Sequence, residues 1–129
     1  MKIAVGTRNF VTIAGHAGRT RDWLMFAAAD AASIPDARRI VLEKMQLIHH
    51  FGDYGEGAHP LDGADVVITG SAGEGFLRHM AARGARVILT GEIDPREAVR
   101  KLLAGEALAE TRFDITTMLC KVHDLFGTH

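Results

Sequence analysis

Asp65-Val66-Val67-Ile68-Thr69-Gly70-Ser71-Ala72-Gly73-Glu74-Gly75-Phe76 is the stretch whose reading decides the fold. Val66, Val67 and Ile68 are three β-branched apolar residues in a row, the pattern of a strand buried on both faces. A glycine-rich turn follows. Phe76, Leu77, Met80 and Ala81 then fall at i, i+1, i+4 and i+5, one face of a helix. Glu74 suits the positive end of that helix's dipole. Strand, loop and helix in this order form the building block of an α/β sheet, in which ligands bind outside the carboxyl ends of the strands. The functional question becomes which other loops reach that edge.

Downstream, Arg83 and Gly84 read as the last turn and the C′ residue of the helix. Arg86-Val87-Ile88-Leu89 is a second buried strand, and Thr90-Gly91-Glu92-Ile93 is its exit loop. Asp94, Pro95 and Glu97 read as N-cap, N1 proline and N3 acid. Ala98, Val99, Leu102 and Leu103 repeat the one-sided helical pattern, which Gly105 closes. Upstream, residues 2–6 form a short buried strand, and Phe10 to Ile13 a short extended piece. Residues 22–30 read as a strand, rich in large apolar side chains. Pro35 makes a turn with Asp36. Residues 38–45 alternate partly, as an edge strand does, and complete a hairpin with 22–30. Residues 51–60 carry three glycines and a proline and support no long helix. In the tail, Ile115, Met118, Leu119, Val122, Leu125 and Phe126 share one helical face, which predicts a C-terminal helix docked on the domain or on a partner.

The chain has 129 residues, enough for one domain with a real core and too few for two. A net charge of −1 supplies no basic field for nucleic acid, and 6% aromatic content supplies no stacking platform. One cysteine, Cys120, excludes an internal disulfide and fits a reducing compartment. The N-terminus enters a strand without a signal peptide, and no apolar run approaches the roughly 20 residues of a membrane span. These features predict a cytoplasmic protein with neither nucleic-acid nor membrane partners.

Parallel strands joined by helices share a direction. If strand 2–6 runs with 65–69 and 86–89, the meander 2–6, 22–30, 38–45 runs up, down, up. One rim then carries the 7–21 loop with His16 and Arg19, the Gly70–Gly75 turn, and the exit of strand 38–45 with His49 and His50.

Gly70 to Gly75 is G-x-x-G-x-G, neither the dinucleotide fingerprint nor a phosphate-binding P-loop. Gly70, Ser71 and Gly73 offer backbone amides to an anion at a helix start; the other reading is a tight turn that needs positive φ. In Gly15-His16-Ala17-Gly18-Arg19, a histidine between two glycines cannot be buried by its neighbours, and Arg19 adds positive charge beside it. Composition alone favours an incidental surface histidine. On a strand, His49 and His50 point to opposite faces and do not easily share a metal unless the strand has ended before them. Cys120 and His123 lie three apart on the tail, at most half of a zinc site. No nucleophile elbow is present, and strand 2–6 carries no carboxylate for a two-metal nuclease. No enzymatic reading gains support.

Taken together, Lys2–Gly6, Gly15-His16-Ala17-Gly18-Arg19, Gly63-Ala64-Asp65-Val66-Val67-Ile68, the glycine turn, Arg83-Gly84-Ala85-Arg86-Val87-Ile88 and the Glu97-Ala98-Val99 helix ending at Ala104-Gly105 resemble the dinitrogenase iron-molybdenum cofactor biosynthesis family of nitrogenase accessory domains. The resemblance spans a domain of residues 1–108 and leaves 109–129 as a C-terminal tail. It implies an α/β ribonuclease H-like fold: three layers, α/β/α, with a five-stranded mixed sheet of order 3-2-1-4-5 and strand 2 antiparallel. It implies non-catalytic carriage of an iron–sulfur or iron–molybdenum–sulfur cluster toward nitrogenase-type or cofactor-assembly partners. The family's motif histidine falls on His16, which the resemblance makes a metal ligand. His49, His50 and Cys120 are lesser candidates. Ala17 stands where the family usually has an aromatic residue, and the glycine-rich stretch 51–63 replaces a helix. Two other functions compete: a metal-free module for an organic anion or nucleotide at the same rim, and an interaction subunit docking through its tail helix.

Overall fold

The computed structural model describes residues 1–47 and 58–111. Its strands are β1 (Lys2–Arg8), β2 (Thr12–Ile13), β3 (Asp22–Ala27), β4 (Arg38–Val41), β5 (Val66–Thr69) and β6 (Arg86–Leu89). Its helices are α1 (Glu74–Ala82) and α2 (Pro95–Ala104), with single 3₁₀ turns at Ala17–Arg19 and Lys44–Gln46. The sheet order is β4-β3-β1-β5-β6, with β2 paired only to β1. β1 is parallel to β5, and β5 to β6; β3 is antiparallel to both β1 and β4. The strand order and the reversed strand are those predicted. The sheet has six strands rather than five, because the 10–13 piece folds back on the end of β1, pairing Thr7 with Ile13 and Arg8 with Thr12.

β1 is central because its inner residues suit burial on both faces. Ile3 and Val5 point one way and Ala4 the other. Ile3, Val5, Phe26, Val66 and Ile68 pack with Ala98 and Val99 of α2. Ala4, Trp23, Met25, Leu42 and Val67 pack with Phe76 and Met80 of α1. The two helices therefore cover opposite faces, and each helical stripe read in the sequence finds its side of the sheet.

The middle of the chain departs from the predicted bounds for local reasons. The strand predicted over 22–30 stops at Ala27. Asp30 Oδ1 accepts from the amides of Ala32 and Ser33, a turn that competes with strand pairing. The strand predicted over 38–45 stops at Val41, and Glu43 and Gln46 form a reciprocal capping box on the following 3₁₀ turn. The start of α2 matches its reading: Asp94 accepts from the amides of Arg96 and Glu97. Gly105 closes α2 at φ 74°, a left-handed position that favours glycine. His49, His50, Cys120 and the predicted tail helix lie outside the described residues.

Beyond α2, residues 106–111 form a strap against the domain. Ala109 donates to Glu92 Oε2 at 2.7 Å, and its carbonyl accepts from Gly91 N and Thr90 Oγ1. Lys101 Nζ holds the same Glu92 carboxylate at 2.8 Å. Leu108 packs into the α2-side cluster.

Candidate functional site

The carboxyl ends of β1 and β5 meet at one rim. β1 feeds the loop through β2 to the 3₁₀ turn 17–19, and β5 feeds the glycine turn. Backbone hydrogen bonds sew the two together. Ala14 N donates to Gly6 O at 2.9 Å, and Ala14 O accepts from Gly70 N at 2.8 Å. Thr69 is fully buried, and its hydroxyl reaches the same Ala14 carbonyl at 3.1 Å. His16 N donates to Ser71 Oγ at 2.9 Å, and Ala17 N donates to Ser71 O at 3.0 Å. From the other side, Thr20 Oγ1 lies 3.2 Å from both Gly15 O and His16 O. Gly70 is required by close approach: a Cβ there would lie 3.1 Å from Ala14 O and 3.3 Å from Gly15 Cα. A third loop joins through Ile13 N, which donates to Ile93 O at 2.8 Å.

His16 and the glycine turn thus occupy one rim, as the topology argument requires. His16 is exposed, with φ 55° and ψ 58°, a left-handed backbone on a residue that bears a Cβ. Arg19 is exposed at the end of the 3₁₀ turn. Gly73 is the N-cap of α1, with no side-chain cap bond and open space where a Cβ would stand. Gly70 lies in the seam, and Ser71 has its oxygens turned to the His16 loop. Arg78 Nη2 lies 4.0 Å from the position of a Gly75 Cβ, a second cation near the start of α1 that the motif reading missed. Glu74 opposes it in the first turn. Among the described residues, no three His, Cys, Asp or Glu side chains gather as a metal-binding group.

Under the loop, the Trp23 indole donates to Thr20 O at 2.9 Å and stacks on Phe76, ring centroids 6.3 Å apart and 6° from parallel. Gly6 makes room for that ring. The indole therefore ties the His16 loop to the first turn of α1.

A second polar group, away from the rim, escaped the sequence reading. His59 is 5% exposed. Its Nδ1 accepts from Leu61 N at 3.1 Å, which leaves Nε2 to donate to Gln46 O at 2.6 Å. Burial pushes its pKa down, and the nearby Arg83 adds to this against the Gln46 bond and Asp62. Burial also pushes His79 down. For Asp62, burial acts upward, but the His59 amide and the Arg83 guanidinium outweigh it and hold the carboxyl low. The legible signal was His59-Pro-Leu-Asp62, a turn in which a carboxylate three residues on caps the histidine amide at 2.8 Å.

The described residues form an open α/β/α domain with a histidine and a glycine turn at one strand-end rim. The chain belongs to the dinitrogenase iron-molybdenum cofactor family, whose profile matches residues 1–105. No curated protein sequence matches it. Among solved structures it is similar to PH0822, with a TM-score of 0.63 and 16% identity over 87% of this chain and 97% of that one. It is also similar to the apo form of the orange protein from Desulfovibrio gigas, with a TM-score of 0.56 and 20% identity over 88% and 96%. A third is TM1290 from Thermotoga, described as a candidate NifB protein of the DUF35 family, with a TM-score of 0.53 and 12% identity over 88% and 96%. At these identities the likeness is one of fold. No helix among the described residues is long and apolar enough to cross a membrane.

Proposed function

We propose that this protein is a non-catalytic, cytoplasmic carrier of an iron–sulfur or iron–molybdenum–sulfur cluster, held at the rim between the His16 loop and the Gly70–Gly75 turn. The observation that carries the reading is an exposed histidine on a left-handed backbone, its main-chain amide donating to the Ser71 hydroxyl of the glycine turn beside it. Membership of a family linked to iron–molybdenum cofactor biosynthesis supports the choice of cargo. His16 ligates iron. Arg19 and the amides at Ser71 and Gly73 offset the net negative charge of a sulfur-rich cluster, whereas the Gly70 amide is already spent on Ala14 O and serves to shape the turn. His49 and His50 are further candidate ligands. Few protein ligands suit a carrier, because the cargo must leave for a cofactor-assembly or nitrogenase-type partner. The binding unit is residues 1–108, of ribonuclease H-like type, with 109–129 as its tail.

The test is anaerobic loading with ferrous iron and sulfide, read by visible absorbance and by iron per chain. Wild type takes up cluster. His16→Ala loses at least about nine-tenths of the uptake, as expected for removal of a first metal ligand, while its circular dichroism is unchanged. Full uptake by His16→Ala removes this residue from the site. Absence of uptake by wild type removes the carrier reading and leaves the metal-free anion-binding one.

A further inference from the structure

We infer that Ser71 is a positioning residue for His16 and not itself a ligand; the inference rests on the carrier reading above. His16 is held in a conformation that a Cβ-bearing residue adopts only when its surroundings impose it. On the carbonyl side Thr20 Oγ1 and the Arg19 amide hold the loop, and on the amide side the holding group is Ser71. Its hydroxyl oxygen accepts the His16 amide at 2.9 Å, and its carbonyl accepts the next amide, Ala17, at 3.0 Å. That carbonyl is also 3.3 Å from the buried Thr69 hydroxyl, which bridges across to Ala14 O. Two consecutive amides of the histidine loop thus end on two oxygens of one residue.

The arrangement aims the Cα–Cβ bond of His16. The Ala17 bond pins the chain after the histidine, the Gly70–Ala14 bond pins it before, and the Ser71 hydroxyl fixes the peptide between. With the hydroxyl gone, the His16 amide is left to water, and the left-handed backbone loses the one bond that holds its own N–H. The imidazole then samples other directions, and a cluster binds a site it must first organise. A hydroxyl-bearing residue at position 71 therefore belongs with His16 as a functional pair 55 residues apart in sequence.

Ser71→Ala and Ser71→Thr test this in the full chain, with His16→Ala as reference. Two readouts are taken: amide exchange of His16 in the apo protein, and iron–sulfide uptake with the charge-transfer band recorded. In Ser71→Ala, His16 exchange rises and cluster affinity falls, each by about fivefold to tenfold, the worth of one such bond. The residual band moves toward that of His16→Ala. Ser71→Thr, which keeps the oxygen, restores exchange, affinity and band. Wild-type affinity and band in Ser71→Ala overturn the inference, whatever its exchange rate. Failure of Ser71→Thr to restore affinity while restoring exchange also overturns it. Failure of wild type itself to take up cluster defeats the carrier reading, and this inference with it.

Discussion

His16 holds a backbone conformation that costs a Cβ-bearing residue about 1–2 kcal/mol, at an exposed position where nothing in the core requires it. Asn9 and Phe10, the other non-glycine residues with positive φ among the described residues, serve the tight turn into β2. His16 caps the 3₁₀ turn 17–19, its carbonyl accepting from Arg19 N at 2.9 Å, while its side chain stands exposed at the rim. His59 is the opposite kind of histidine: buried, neutral and used as a hinge pin between Gln46 O and Leu61 N. A histidine whose folded pKa lies below its unfolded value of about 6.5 takes up a proton on unfolding. Its contribution to stability is therefore complete above pH 6.5, declines as the pH falls through that value, and levels off below the folded pKa. His79 acts in the same direction. Thermal melts from pH 7.5 to 5 should show Tm falling below about pH 6.5. His59→Asn, which keeps an acceptor near Nδ1, should be about 1–2 kcal/mol less stable at pH 7.5 and show a shallower decline. An unchanged slope would remove His59 from the effect.

At the scale of elements, helix α2 and the strap after it form one device. Asp94 caps the helix at one end, worth about 1 kcal/mol, and Gly105 releases the chain at the other. The chain then returns past the exit of β6, where Glu92, Thr90 and Gly91 all bind Ala109. Lys101 and the Ala109 amide hold the Glu92 carboxyl below the usual carboxylate range. Gly91 is the pinch point, because a Cβ there would overlap the Glu110 carbonyl, which is backbone and cannot rotate away. Gly91→Ala should therefore lift the strap, destabilise the protein by about 1–3 kcal/mol, and speed amide exchange at Ala109. A melting temperature and Ala109 exchange rate equal to wild type would show that the strap does not rest on this contact.

For the whole molecule, the core is built from two apolar layers that share one sheet and are each closed by one helix. The strap joins the α2-side layer through Leu108 and is held there by the Ala109 bonds. A chain ending at Gly105 should be about 2–4 kcal/mol less stable than one ending at Thr111. Single Trp23 fluorescence follows both, because the indole sits between the His16 loop and α1. Equal stability of the two truncated chains would make the strap a passenger.

How much of this was legible follows from how local each signal is. The residues of β1, β5 and β6 announce themselves because burial on both faces demands unbroken apolar runs, and that demand is met within four or five positions. The start and end of α2 announce themselves because Asp94, Pro95 and Gly105 act on their own backbone. The ends of β3 and β4 were less legible, because Asp30 and Glu43 divert the chain into turns whose strength against sheet pairing no propensity reveals. The sequence by itself determined the parallel core, the two helix stripes and, through strand direction, that the 7–21 loop and the glycine turn leave by one edge. Only the tertiary structure decided that Ser71 grips His16, that His59 is buried while His16 is not, and that the strap closes on Glu92. Those facts depend on atoms up to 55 residues apart meeting within hydrogen-bond range, and side-chain chemistry alone does not specify which distant partners will be in reach.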